Sequence, residues 1–143
     1  MNLQPKRQKH RVIHRRNRTG LSKGGNFVSK GDFGMKAQTR GEITAKQIEA
    51  CRVSVTRKLR KLNEKNARVF INIFPHIPRT KKPLGVRMGK GKGGNDRFVA
   101  KIRPGAILFE VGGASKESAR EALALATSKL NIHTTFVERV EDV

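Results

Sequence analysis

Apolar residues recur along the middle of the chain at helical and strand spacing in turn. Ile48, Cys51, Val55, Leu59 and Leu62 follow one another at steps of 3, 4, 4 and 3, which puts all five on one stripe of an α-helix. Lys46, Arg57, Arg60 and Lys61 fall on the opposite side. Thr44-Ala45-Lys46-Gln47 fits a capping box, in which the Thr oxygen and the Gln side chain satisfy free backbone N–H groups. Ile43 and Ile48 stand where a hydrophobic staple would, and Asn63 and Asn66 are stop signals.

The period then changes to two. In 67–75, Val69, Ile71 and Ile73 alternate with Phe70, Asn72 and Phe74, predicting a strand that ends at Pro75 and Pro78. Residues 97–103 read as a second strand and 106–111 as a third, with Pro104-Gly105 predicting a tight antiparallel turn between them. Ser115 is a good N-cap, with Glu117 in the first turn. Ala119, Ala122, Leu123, Ala126 and Leu130 form a second helical stripe, of mostly small residues suited to close approach to a sheet. Asn131 ends it, and 132–140 reads as a last strand.

The predicted order is helix, strand, arm, strand, strand, helix, strand. It implies an α+β two-layer domain, a mainly antiparallel sheet with two helices on one face. The body is 42–143, with a protruding loop at 75–96. Residues 1–41 are basic, aperiodic and unable to form a core, with Phe27, Phe33 and Met35 as the points that anchor them to the body.

Charge sharpens this division. The chain has 143 residues, the length of one ordinary domain, and a net charge of +21. Residues 1–41 carry +10, residues 42–103 carry +13 and residues 104–143 carry −2. Such an excess calls for an anionic partner. No apolar run approaches a membrane span, so nucleic acid is favoured over a membrane surface. Arg and Lys concentrate in 6–18, which includes Lys6, Arg7, Lys9, Arg11, Arg15, Arg16 and Arg18. This start reads as a basic arm rather than a transit segment. The second concentration is Phe74–Gly94, with six Lys or Arg including Lys81, Lys82, Arg87, Lys90 and Lys92, five Gly, three Pro and no acid.

Catalytic and cofactor readings find little support. Gly89–Gly94 matches GxGxxG, but the glycines precede a strand instead of opening a helix after one. They suit a loop whose bare backbone presses on nucleic acid while lysines neutralise phosphates. His10 and His14 lie in an Arg-rich stretch that repels a metal ion. Cys51, the single cysteine, sits on the buried stripe as a small hydrophobe. No acidic pair suits general acid–base work. There are seven Phe and no Trp or Tyr, and Phe70, Phe74, Phe98, Phe109 and Phe136, in strand patterns, are explained as core more cheaply than as stacking platforms. Arms rich in Arg and Lys suit folded RNA better than duplex DNA.

The segments LQPKRQKHR (3–11), GDFGMKA (31–37), RGEITAKQIEACR (40–52), FPHIPRTKKPLGVRMGKGKG (74–93) and the run from KIRPGAILFEVGG to AREALALATSKL (101–130) resemble, in order, the family of bacterial-type large-subunit ribosomal protein number sixteen. The resemblance covers nearly the whole chain. It implies an α+β body on large-subunit ribosomal RNA, an N-terminal extension threaded along that RNA, and a loop pointing toward the aminoacyl-tRNA site near the peptidyl-transferase centre. It places RNA contacts on Lys6, Arg7, Lys9 and Arg11. The loop becomes Lys82, Arg87, Met88, Lys90 and Lys92 with Gly89, Gly91 and Gly93. Arg87, Met88, Gly89, Lys90 and Gly91 are then its tRNA-proximal part.

Asn2, Glu42, Asn95-Asp96 and Phe98 depart from the family's pattern, and none removes a loop base. The resulting expectation is a structural, non-enzymatic component of the large subunit, with no cofactor and no metal. Its partners are large-subunit ribosomal RNA, aminoacyl-site tRNA and neighbouring ribosomal proteins, without a membrane and without homo-oligomers. A bacterial ribosome is favoured and an organellar one stays open. A nucleic-acid-modifying enzyme and a DNA-compacting protein are the competing classes.

Overall fold

The computed structural model describes residues 3–9, 13–14 and 19–140. The chain runs β1 (Phe33–Ala37), β2 (Gly41–Thr44), α1 (Ala45–Lys61), β3 (Arg68–Ile71), β4 (Ile77–Lys81), β5 (Gly94–Ile102), β6 (Ile107–Gly112), α2 (Lys116–Thr127) and β7 (Thr134–Glu138). The α+β class is as expected. The strands form two antiparallel sheets, however, of order β3-β6-β1-β7 and β2-β5-β4.

This division corrects one expected pairing. β5 and β6 do not form a hairpin. β5 pairs with β2 and β4, and β6 pairs with β1 and β3. The Pro104-Gly105 corner carries the chain from one sheet to the other. Gly105 has φ +94°, which an L side chain rarely adopts. Its N–H donates to the Ala37 carbonyl at 2.7 Å, and Ser22 N–H donates to the Pro104 carbonyl at 2.9 Å.

The α1 capping box is present. Thr44 Oγ1 accepts from Gln47 N–H, and Gln47 Oε1 accepts from Thr44 N–H at 2.9 Å. Ile48, Cys51, Val55 and Leu59 of the stripe are all buried. Asn63 ends the helix with φ 60°. α2 starts at the expected cap, Ser115, and ends at Thr127, before the expected Leu130. Its small residues Ala119, Ala122 and Ala126 are fully buried. They admit α1 as well as the sheet, and Cys51 Sγ lies 3.5 Å from the Ala126 carbonyl.

Three strands were not legible in the hydrophobic pattern, β1 and β2 near the start of the chain and β4 in the arm. β1 and β2 are short, and Gly and polar residues interrupt their apolar positions. Yet Met35 is 1% exposed between β6 and β7, and Ile43 is fully buried. Met35 is therefore an anchor as expected. Phe33 is another, half-buried and stacked on Phe136 with ring centroids 5.6 Å apart. Phe27 is not an anchor: its ring is 69% exposed. Phe74, expected in the core, is exposed as well, because β3 ends before it.

β6 is buried on both faces. A register shift between Met35 and Lys36 leaves Leu108 without a partner on β1, the geometry of a β-bulge. Leu108 thereby joins Phe109 and Val111 in the core under the helices, whereas Ile107 turns to the other face beside Val28. Residues 22–32 cross that second face. Glu110, fully buried there, accepts at Oε2 from Ser29, Lys30 and Gly31 N–H at 3.2, 2.6 and 2.8 Å. Its Oε1 accepts from the Asn72 amide. Burial alone would raise its pKa. The Gly31 N–H, the Asn72 amide and the Lys30 and Ser29 N–H groups outweigh that and hold the carboxyl below its ordinary value.

Candidate nucleic-acid interface

The arm expected at 75–96 is largely a β-hairpin. β4 pairs with β5 from Ile77↔Val99 to Lys81↔Gly94, with a register shift between Arg79 and Thr80. The pattern hid β4 because IPRTK carries one strong apolar residue and a Pro. The open loop shrinks to Lys82–Gly93. It extends from the β4–β5 edge of the smaller sheet.

The loop is built by glycines at two places. At its neck, a Cβ on Gly93 would stand 2.8 Å from the Lys81 carbonyl carbon and oxygen and 2.9 Å from Lys82 N. Only a bare Cα lets the two strands close there. At its tip, Gly89, Lys90 and Gly91 are three successive positive-φ residues, at 95°, 59° and 86°. Such a run turns the backbone sharply and spreads neighbouring side chains apart. Between these places, Val86 N–H donates to the Pro83 carbonyl at 3.4 Å, and Lys82 Nζ donates to the Gly89 carbonyl.

The loop's cations divide accordingly. Lys82 is half-buried and turned inward, where it ties the loop. Lys81, Arg87, Lys90 and Lys92 are exposed. Among the described residues none of these four has a carboxylate within salt-bridge distance. Met88 is 98% exposed beside Arg87, and Leu84 is 95% exposed. Asp96 stands at the loop's base, where its carboxylate is 3.9 Å from the Arg97 guanidinium.

Arg79, also in this basic stretch, is spoken for. Its Nε donates to Glu42 Oε2 at 2.9 Å and its Nη2 to Glu42 Oε1. The Glu42 acid is thus matched to a cation two strands away.

The N-terminal segment starts at the same end of the molecule. Leu3 is 9% exposed and belongs to the core. With Gln4, Leu3 lines a cleft of about 660 Å³ whose other walls are Thr44–Lys46, Glu49 and Asp96–Phe98. The extension is therefore docked against the start of α1 and the base of the hairpin. Lys6, Arg7 and Lys9 follow, all exposed. Arg11, Arg15, Arg16 and Arg18 lie outside the described residues.

The outer face of α1 adds Lys46, Arg57, Arg60 and Lys61, all exposed. Elsewhere on this helix the cations are paired. Arg52 makes two bonds to Glu49, at 2.6 and 2.9 Å, and Lys58 Nζ is 2.9 Å from Glu121. The hydrogen bond from Arg52 is the main reason the Glu49 carboxyl lies below its ordinary value. The helical periodicity had marked these four exposed cations, although their value as part of a binding surface rests on which neighbours are paired.

Comparison with known proteins finds relatives along nearly the whole chain. The family model described as ribosomal protein L16p/L10e matches residues 5–137. Two proteins named large ribosomal subunit protein uL16, from Staphylococcus aureus strains Newman and JH1, are each 52% identical to this chain over 139 residues. The match spans 97% of this chain and 94% of each relative.

Proposed function

The chain belongs to the ribosomal protein L16p/L10e family, and from that premise we propose that it grips large-subunit ribosomal RNA through residues 1–41 and 79–94. As a bacterial-type ribosomal protein, it has its place in the large subunit of a ribosome in the cytoplasm. Its role is structural rather than catalytic.

The extension lies along the RNA with Lys6, Arg7, Lys9, Arg11, Arg15, Arg16 and Arg18 as phosphate contacts. Its end is fastened to the body by Met35 and by the Glu110 carboxylate. The hairpin adds Lys81, Arg87, Lys90 and Lys92. Lys82 acts from within, by shaping the loop. Arg87, Met88, Gly89, Lys90 and Gly91 face the aminoacyl-tRNA site near the peptidyl-transferase centre, where Arg87 is the most tRNA-proximal cation. The body meets neighbouring ribosomal proteins, and the chain acts as one copy within the particle, not as a homo-oligomer.

The observation that carries this reading is the hairpin loop itself. It is braced at its neck and carries exposed cations with no carboxylate partners among the described residues. Crowded phosphates are what such a loop can neutralise, and each contact made releases counterions.

The test is binding to large subunits stripped of this protein, between low and moderate salt. Affinity is expected to fall steeply, by about a thousandfold or more for six or more phosphate contacts. An affinity that stays flat across that range would contradict the proposal. Equal affinity for random duplex DNA would favour a DNA-compacting protein instead.

A further inference from the structure

The ring of Phe27 is 69% exposed, yet the backbone on both sides of it is pinned. Ile107 N–H donates to the Gly25 carbonyl at 2.8 Å on one side. On the other, Ser29, Lys30 and Gly31 N–H all donate to Glu110. Val28, the next residue, is 6% exposed and lodged against Gly34, where an added Cβ would meet it at 2.8 Å. The ring is thus presented by a fixed segment, and its exposure is part of the fold.

Beside the ring lies a groove of about 450 Å³ on the second face of the larger sheet. Val28, Ile107 and Val137 give it an apolar floor, and Asn26, Lys36 and Glu138 give it a polar rim. A flat ligand with apolar faces and a hydrogen-bonding edge fits that division.

Charge selects the ligand. The segment that carries Phe27 belongs to the +10 first part of the chain, and Lys23 and Lys30 stand exposed near it in sequence. The nearby acids among the described residues are engaged: Glu138 with Lys116 at 2.7 Å, and Asp32 with Gly113 N–H at 2.9 Å. A polyanion can approach this face, whereas a basic partner finds no unmatched acid there among the described residues.

We propose that this groove holds one unpaired nucleobase of ribosomal RNA, with the Phe27 ring stacked on its face and Asn26 and Lys36 at its edge. Aromatic rings take splayed-out bases in this way in sequence-specific RNA recognition. The site is separate from the hairpin loop and from the basic start. It rests on the reading that the chain binds large-subunit RNA.

The chain has no Trp, so Phe27→Trp installs a single indole at the site. Large subunits stripped of this protein are the binding partner. Stacking on a base should quench the indole emission on binding. Emission that shifts to the blue without quenching, or stays unchanged while the subunit binds, would overturn the proposal in favour of a protein side chain or of solvent.

Base-reactivity probing of the RNA gives an independent readout. The native chain should protect at least one base that becomes reactive with both Phe27→Ala and Phe27→Leu, with affinity lowered about tenfold. An identical footprint and affinity for all three chains would also overturn it. Salt dependence should stay steep in either variant, so a failure of this site is distinguishable from a failure of RNA binding altogether.

Discussion

Glu42 and Arg79 join across an intervening strand. They belong to β2 and β4, the two neighbours of β5, and their side chains meet over the face of β5 that carries Val99. The register explains the meeting. Thr44 and Ile77 both stand opposite Val99, so Glu42 and Arg79, two residues from each, share its face. Both side chains are only about one-fifth exposed, at 19% and 20%, and they help leave Val99 2% exposed.

This pair separates folding from binding. Arg79→Ala should lower stability by about 1–2 kcal/mol, since it removes a two-point partner of a partly buried carboxylate. It should leave the salt dependence of RNA binding unchanged. Arg87→Ala should do the reverse, reducing the slope of log affinity against log salt by about 1. Urea unfolding and salt titration of both variants check this. A loss of slope with Arg79→Ala would show that Arg79 contacts phosphate after all.

Glu110 links β6 to the turn at 29–31, and it makes stability depend on pH. Its folded-state pKa is held below the ordinary value of 4.5. Its contribution is therefore fully present above about pH 4.5 and is lost as pH falls through the lowered folded value. Glu110→Gln should flatten the acid limb of the stability curve. Glu110→Ala should cost about 3 kcal/mol at neutral pH, because it strands several backbone donors, the buried Gly31 N–H among them. Unfolding free energies measured from pH 7 down to pH 2 test both statements.

The hairpin neck offers a matched pair of glycines. Gly93→Ala puts a methyl group 2.8–2.9 Å from the backbone of Lys81 and Lys82, whereas Gly94→Ala meets nothing within 4 Å. The first should splay the loop and weaken RNA binding about tenfold, with little change in Tm because the loop contributes little core. The second should be near-neutral in binding. Equal effects would mean that the neck does not shape the loop.

Cys51 should report unfolding. Desolvation between α1 and α2 pushes its pKa to about 11, so at pH 8 the thiolate is a very small fraction. Alkylation of the native protein should be slow and should become rapid in denaturant. Equal rates in both conditions would contradict the packing of the two helices described above.

The helices were legible from the chain because periodicity and caps agree: the Thr44–Gln47 box and the buried stripe from Ile48 to Leu59 are where the spacing put them. The strands were legible where β-branched and aromatic residues run together, as in 69–71 and 134–137. β1, β2 and β4 were not, since Gly34, Gly41 and Pro78 interrupt them and long-range pairing decides their state. The same blindness produced the hairpin expected at Pro104-Gly105, because a turn signal does not say which sheet the next strand will join. Among the candidate contacts, charge alone could not separate Arg79 from Arg87. The difference lies in Glu42, 37 residues away in sequence.

We propose above all that the Lys82–Gly93 loop serves the tRNA-accepting side of the large subunit. Ribosomes assembled with Arg87→Ala in place of the native chain test it through the rate of aminoacyl-tRNA accommodation. We predict slowed accommodation, with the Tm of the free protein unchanged and its incorporation into subunits intact. Normal accommodation by fully assembled ribosomes carrying this variant would contradict the account.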